Sequence, residues 1–230
     1  MCGRFELGSM DDHGLRLDVA RFFDVEGGID LRSRFNIAPT QSVAAVRRTS
    51  VTAPRELAML RWGLIPSWAK DPAIGVKMIN ARAETAHEKP AFRAAFKQRR
   101  CLVIATSFYE WQRLEGGPKQ PWRIHLADRE PFGMAGLWES WRDAGGAIVE
   151  SCTIITTSAN ELVAPLHDRM PVILARDACD VWLDPGARDV EKLRALLVPF
   201  PAAAMARYAV STRVNNVRND DVMCVQPLMP

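Results

Sequence analysis

Cys101-Leu102-Val103-Ile104-Ala105, running on to Phe108-Tyr109-Glu110-Trp111, is the stretch on which the fold turns. In 101–105 both alternating sets of positions are apolar. Successive side chains of a strand point to opposite faces, so this pattern describes a strand covered on both sides. The run 101–109 reads as one buried strand that ends on a carboxylate set between aromatic rings. Short apolar runs bounded by Gly, Pro and Asn repeat the signal at 43–46, 57–62, 122–126, 132–138, 152–157, 171–174 and 208–214. Helical patterns are fewer. The segments 15–23, 91–100, 176–183 and 190–197 fit apolar spacings of three and four residues, and Asp184-Pro185-Gly186 stops the third of them. Gly116-Gly117-Pro118 marks 114–120 as a hairpin tip. No repeat, low-complexity stretch or composition shift divides the chain. The expectation is an α+β fold, one domain around a curved, mainly antiparallel β-sheet with a few flanking helices.

Composition bounds the partners. A chain of 230 residues, 48% hydrophobic, can bury a sizeable core. Its 30 Lys and Arg against 27 Asp and Glu leave a net charge of +3, which neither demands nor excludes nucleic acid. The cations are mostly arginine, suited to bidentate phosphate contacts. The cysteines number five and none forms a CxxC pair, a pattern of reduced thiols rather than a disulfide frame or a zinc site. No signal-peptide pattern and no apolar run of membrane-spanning length is present, so a soluble intracellular protein is expected.

The chain begins Met1-Cys2-Gly3-Arg4-Phe5. Initiator methionine is usually removed before a small residue, which would leave Cys2 at the N-terminus over a domain spanning 2–230. An N-terminal cysteine carries an α-amine and a thiol on adjacent carbons. The amine can condense with an aldehyde and the thiol can close on the imine to give a thiazolidine. Their ordinary pKa values, about 8 and about 8.5, leave a reactive fraction of each at neutral pH. A chance cysteine at position 2 is the bland alternative.

Four further segments hold residues a simple fold does not need. Arg61-Trp62-Gly63-Leu64-Ile65-Pro66-Ser67-Trp68 puts two indoles around a turn, where they can stack on splayed bases or cap the core. Asn80-Ala81-Arg82-Ala83-Glu84 sets an amide and a guanidinium two positions apart, on one side of an extended segment. Glu110, flanked by aromatics at a strand end, is expected to be desolvated and so suited to acid–base work, or else to pair with a structural arginine. His167-Asp168 lies in a loop, as a proton shuttle or as an exposed histidine. His13, His87 and His125 attract no role, and Cys101, Cys152, Cys179 and Cys224 read as core thiols.

Taken in order, these segments resemble the SOS-response-associated peptidase (SRAP) family. The resemblance rests on Met-Cys-Gly-Arg-Phe, Phe35-Asn36-Ile37-Ala38-Pro39-Thr40, Arg61 to Trp68, Ile79 to Thr85, Phe108 to Trp111, Ala135-Gly136-Leu137-Trp138, Thr156 to Asn160, His167 to Val172 and the closing Val214-Asn215-Asn216-Val217-Arg218-Asn219-Asp220. It spans nearly the whole chain and departs from the usual pattern at Asp221-Val222-Met223-Cys224. It implies a protein that crosslinks to abasic sites in single-stranded DNA. Cys2 would be the nucleophile, Asn80 would hold it, Glu110 would be the general acid/base and His167 would move protons. Arg4 and Arg82 would hold phosphates, while Asn36, Pro39 and Trp68 would lie along the strand groove. The resemblance further implies lyase cleavage as a side path and no cofactor or metal. The expected protein is a cytoplasmic monomer that joins the nucleoid during DNA damage.

Three rival readings stay open. A Cys-His-Glu set could support thiol proteolysis, though only Met1 precedes Cys2. N-terminal cysteine amidohydrolases also begin Met-Cys-Gly, but the chain shows no second domain to use ammonia. A noncovalent reader of single-stranded DNA needs no reaction at Cys2.

Overall fold

The strand foreseen at 101–105 is the middle of the molecule, and its neighbours account for its composition. In the computed structural model, which describes residues 2–9, 12–25 and 31–228, Arg100–Ala105 is buried at every position and flanked by strands on both sides. In chain order the strands are β1 (Phe5–Leu7), β2 (Arg34–Ile37), β3 (Ser42–Arg47), β4 (Glu56–Trp62), β5 (Asn80–Arg82), β6 (Arg100–Ala105) and β7 (Ser107–Gln112). They continue with β8 (Gln120–Leu126), β9 (Phe132–Arg142), β10 (Ile148–Ser158), β11 (Arg169–Pro171), β12 (Ile173–Leu174) and β13 (Met205–Ala209). The helices are α1 (Asp12–Phe23), α2 (Arg93–Gln98), α3 (Arg176–Leu183) and α4 (Val190–Ala195).

The molecule is a single α+β domain of mostly antiparallel strands. Two sheets share the work of the one expected. The larger runs β11-β10-β4-β3-β6-β9-β12, and β10 also pairs with β9, so β10, β4, β3, β6 and β9 close on themselves. Closure leaves those strands with no free edge. The smaller sheet runs β13-β8-β7-β1-β2. Only the pairings of β10 with β4 and β5 are parallel among the described ladders.

The run 101–109 is divided between these sheets. At Thr106 the chain leaves β9, where Ala105 faces Phe132, and joins β1, where Ser107 faces Glu6. Both segments are buried, so the apolar run shows no seam. The run 171–174 splits for the same reason: Arg169–Pro171 pairs with β10 and Ile173–Leu174 with β9. The run 208–214 ends its strand at Ala209 and turns into a short 3-10 helix over Thr212–Asn215, where the Ser211 hydroxyl accepts from the Arg213 amide. The helix expected over 91–100 is shorter, because Arg100 opens β6. Its buried guanidinium donates to the carbonyls of Phe96 and Lys97 at the end of α2, and to those of Trp182, Asp184 and Ala187 at the end of α3. One arginine thus satisfies the orphan acceptors of two helix termini.

A large apolar core runs through the closed ring and under α1 to α4. A second, small cluster of Tyr109, Val210, Val214 and Cys224 lies behind the five-stranded sheet, against the C-terminal segment. Among the described residues no helix is long and apolar enough to cross a membrane.

Candidate functional site: Cys2 between two sheets

The register of β1 carries Cys2 to Glu110. Phe5 faces Phe108 and Glu6 faces Ser107, antiparallel, and the Tyr109 amide donates to the Arg4 carbonyl at 3.0 Å. Extending that ladder brings residue 2 alongside Glu110 and Trp111. From the other sheet, β5 brings Asn80, whose Nδ2 donates to the Cys2 carbonyl at 2.7 Å. β5 is itself fixed by its parallel pairing to β10, where Asn80 faces Ile154. The buried Trp62 indole donates to the Ile79 carbonyl at 2.9 Å and packs edge-on against Phe5. Of the two readings of Trp62, the core one holds, and the ring ties both arms of the site together.

Glu110 is 4% exposed, and burial pushes its carboxyl up to about 7, with the nearby Asp168 charge adding and Lys119 opposing. A carboxyl with that value exchanges protons near neutral pH. The Cys2 thiol is fully buried, and burial first, then the Glu110 charge, raises its pKa far above the ordinary thiol range. Cys101 and Cys179 are pushed up to about 12 and about 11 by burial, and all five cysteines are free. What separates Cys2 from the others is its place in the chain and its neighbours.

His167 comes from the loop between β10 and β11. Its Nδ1 lies 3.0 Å from the Arg169 amide and 2.8 Å from Asp168 Oδ1. A neutral ring can accept from that amide at Nδ1, and a protonated ring can donate to the carboxylate, so both protonation states are provided for. Burial holds the ring's pKa below the ordinary histidine value, Asp168 opposing. The loop is pinned by Arg169, which donates to both oxygens of Glu84 (2.6 and 2.9 Å) and to the Thr156 carbonyl. Asp168 lies close enough for its charge to reach Glu110, which joins the loop to the Cys2 arm.

The five residues assigned to strand contacts are placed differently from one another. Arg82 is exposed and, two positions after Asn80, projects from the same side of β5. Trp68 is 59% exposed and, with Lys70, Ile74 and Lys77, lines an open cleft of about 360 Å³. Pro39 is half-buried, just before Thr40, whose φ of 72° is rare for a β-branched residue. Arg4 is half-buried. Its Nη1 donates to Asn36 Oδ1 and to the Val214 carbonyl, both at 2.7 Å, and its guanidinium lies 5.7 Å from the Trp111 ring.

Asn36 corrects the expectation. It lines no groove: it is fully buried, and its Nδ2 is shared among the carbonyls of Val214, Asn216 and Asn219. Its amide donates to Asp220. It fastens the C-terminal segment to β2.

Sequence reasoning passed over Trp111, which follows Glu110, and Lys119, whose charge is felt by both Glu110 and His167. Trp111 had a signal in the Tyr-Glu-Trp run. Lys119 had none, since only the β7–β8 hairpin brings it back to the site.

Cys2, Asn80 and Glu110 therefore meet where the two sheets join, from segments far apart in the chain, and the Asp168 charge beside His167 reaches Glu110. The arrangement holds a thiol, an amide on its backbone and a carboxyl raised to about 7. No cluster of three metal-ligating side chains occurs among the described residues.

Known proteins resemble the chain over most of its length. The chain is 46% identical over 221 residues to the abasic site processing protein YoaM of Bacillus subtilis, covering 96% of this chain and 95% of that protein. It is 36% identical over 211 residues to the abasic site processing protein HMCES of Xenopus tropicalis, covering 82% of this chain and 62% of that protein. A crystal structure of a Bacteroides thetaiotaomicron protein superposes with a TM-score of 0.85 at 27% identity, covering 98% of this chain and all of that one. A family model described as "SOS response associated peptidase (SRAP)" matches residues 1–217, and the chain belongs to that family.

Proposed function

We propose that this protein captures abasic sites in single-stranded DNA by forming a thiazolidine crosslink through Cys2. The observation that carries the reading is the contact of Asn80 with Cys2 beside a buried Glu110 whose carboxyl is poised near neutral pH. The names of relatives such as YoaM and HMCES support the abasic substrate.

The chemistry balances without a cofactor. Removal of Met1 frees the Cys2 amine. The abasic deoxyribose opens to its aldehyde, and the amine adds to the carbonyl carbon. The carbinolamine then loses its hydroxyl as water, with protonated Glu110 as donor, to leave an imine. The Cys2 sulfur adds to the imine carbon, its proton passes through His167 to nitrogen, and the ring closes. The product weighs one water less than protein plus strand. The imine is also the branch point for β-elimination, which would cleave the strand, so fast closure protects it. Arg82, Trp68, Pro39 and Arg4 would guide the strand. We expect the active form to be a monomer.

Intact mass spectrometry tests the reading. The protein is incubated, without reductant, with a single strand whose one uracil has been excised. The expected product lacks Met1 and gains the strand's mass less one water. Cys2→Ser should form only an imine that borohydride traps, and Cys2→Ala should form no adduct. A wild-type protein that loses Met1 and forms no adduct would refute covalent capture and leave noncovalent reading of single-stranded DNA.

A further inference from the structure

We propose that the C-terminal segment 214–220 is a second wall of the strand site, in which Asn215 sets the Trp111 indole and Arg218 contacts a strand phosphate. The proposal rests on the single-strand reading above and adds a surface to it.

Position comes first. Trp111 follows Glu110 in β7 and therefore points to the opposite face of that strand, with Tyr109, and its Nε1 donates to Asn215 Oδ1 at 2.7 Å. Arg4, two residues after Cys2, donates to the Val214 carbonyl of the same segment. Gln120, at the base of the β7–β8 hairpin, donates to the Val210 carbonyl at 2.9 Å. The segment therefore packs against the face of β7 that carries Tyr109 and Trp111, and Arg4 ties it to the Cys2 end of β1, so a strand guided by Arg4 would meet it past the sheet edge.

Stiffness comes next. Asn36 holds the carbonyls of Val214, Asn216 and Asn219, and Asp220 accepts the backbone amides of Phe35 and Asn36. A stretch anchored at both ends presents its side chains with little ordering left to do on binding, the condition for an efficient contact.

Charge decides the partner. Residues 215–218 are all exposed. Two other arginines nearby are neutralised within the fold, Arg34 by Asp220 and Arg213 by Asp221. The Arg218 guanidinium makes no ion pair or hydrogen bond among the described residues, although its own backbone amide is fixed on Asn216 Oδ1 at 3.1 Å. A guanidinium with no partner among the described residues, three positions after the amide that orients an indole, suits a polyanion bearing stackable bases. The Trp111 ring would stack while Arg218 takes the neighbouring phosphate.

The test uses a Cys2→Ala background, so that binding is read without reaction, and a fluorescent undamaged single strand followed by anisotropy from about 50 to about 200 mM salt. Arg218→Ala should weaken binding at every salt and lower the slope of log K against log salt by about 0.7, the value for one lost single-strand phosphate contact. Asn215→Ala should weaken binding with little change of slope, because it frees a ring rather than a charge. Arg194→Ala on α4 controls for loss of one positive charge. If Arg218→Ala matches that control in affinity and slope, the second wall is refuted while strand capture stands. If the Cys2→Ala parent shows no salt-dependent strand binding, the second wall is refuted, while capture is still decided by the wild-type adduct.

Discussion

A carboxyl poised near 7 ties the proposed reaction to pH at a single residue. Glu110 owes its raised value first to burial, so below about 7 it holds a proton it can donate, and above that value it cannot. His167 is held below the ordinary histidine value, so it is neutral and able to take a proton until the pH falls through its own lower pKa. With Glu110 as the acid and His167 as the base, the rate of adduct formation should trace a bell. Its alkaline limb lies near 7 and belongs to Glu110, and its acid limb lies below the usual histidine range. Initial rates between about pH 5 and about pH 9 would show it. Glu110→Gln should lower the maximum by about a hundredfold, the lower end for loss of a positioned acid, and abolish the alkaline limb. An unchanged limb near 7 in Glu110→Gln would assign it to another group.

At the scale of an element, the turn that hands the chain from β4 towards β5 is the least forgiving part of the site. Gly63 has φ +121°, a region L side chains rarely adopt, and a Cβ there would sit 2.6 Å from the Gly75 carbonyl oxygen. The contact is mutual, since a Cβ on Gly75 would sit 2.6 Å from the Gly63 oxygen. The Gly63 amide donates to the Cys152 carbonyl and the Leu64 amide to that of Met78, two residues before Asn80. Gly63→Ala should therefore cost about 2 kcal/mol or more, read as a lowered Tm. It should also slow adduct formation, because Asn80 is displaced. A variant with wild-type Tm and rate would show that the two loops can slide apart. Single elements were largely legible in the sequence. The apolar runs at 43–46, 57–62 and 122–126 became β3, β4 and β8, and 176–183 matched α3 at both ends. Where a run changes partner it was not legible, as at Thr106 and Val172, because burial on both sides of the switch gives one unbroken apolar pattern.

Taken as a whole, the chain closes its two ends on each other, and no local pattern announces this. Cys2, Asn80, Glu110 and His167 each carried a chemical reason to be noticed. Their meeting point depends on β1 reaching β7 and β5 reaching β10, pairings that residue periodicity does not specify. Asn36 shows the limit most clearly. The resemblance implies a groove contact for it, yet its partners lie about 180 residues away, in a tail whose pattern is only polar. That long-range bond should be the hinge of the tail's stability. Asn36→Ala removes a donor from the carbonyls of Val214, Asn216 and Asn219 and takes from Arg4 its Oδ1 acceptor. At about 1 kcal/mol net for each such bond, the loss should reach about 2 to 4 kcal/mol. The carbonyls Asn36 holds all belong to the tail, outside the closed ring, so the cost should appear as local opening rather than global unfolding. Hydrogen exchange should accelerate in the amides of 214–224 and at Phe35, while the amides of β6 and β9 keep their protection. Single-strand affinity should fall with it, because Arg4 and Trp111 lose their supports. Uniform acceleration across β6 and β9 would instead make Asn36 part of the global folding unit, and unchanged exchange in the tail would show that Asp220 and the small cluster around Val214 hold it alone.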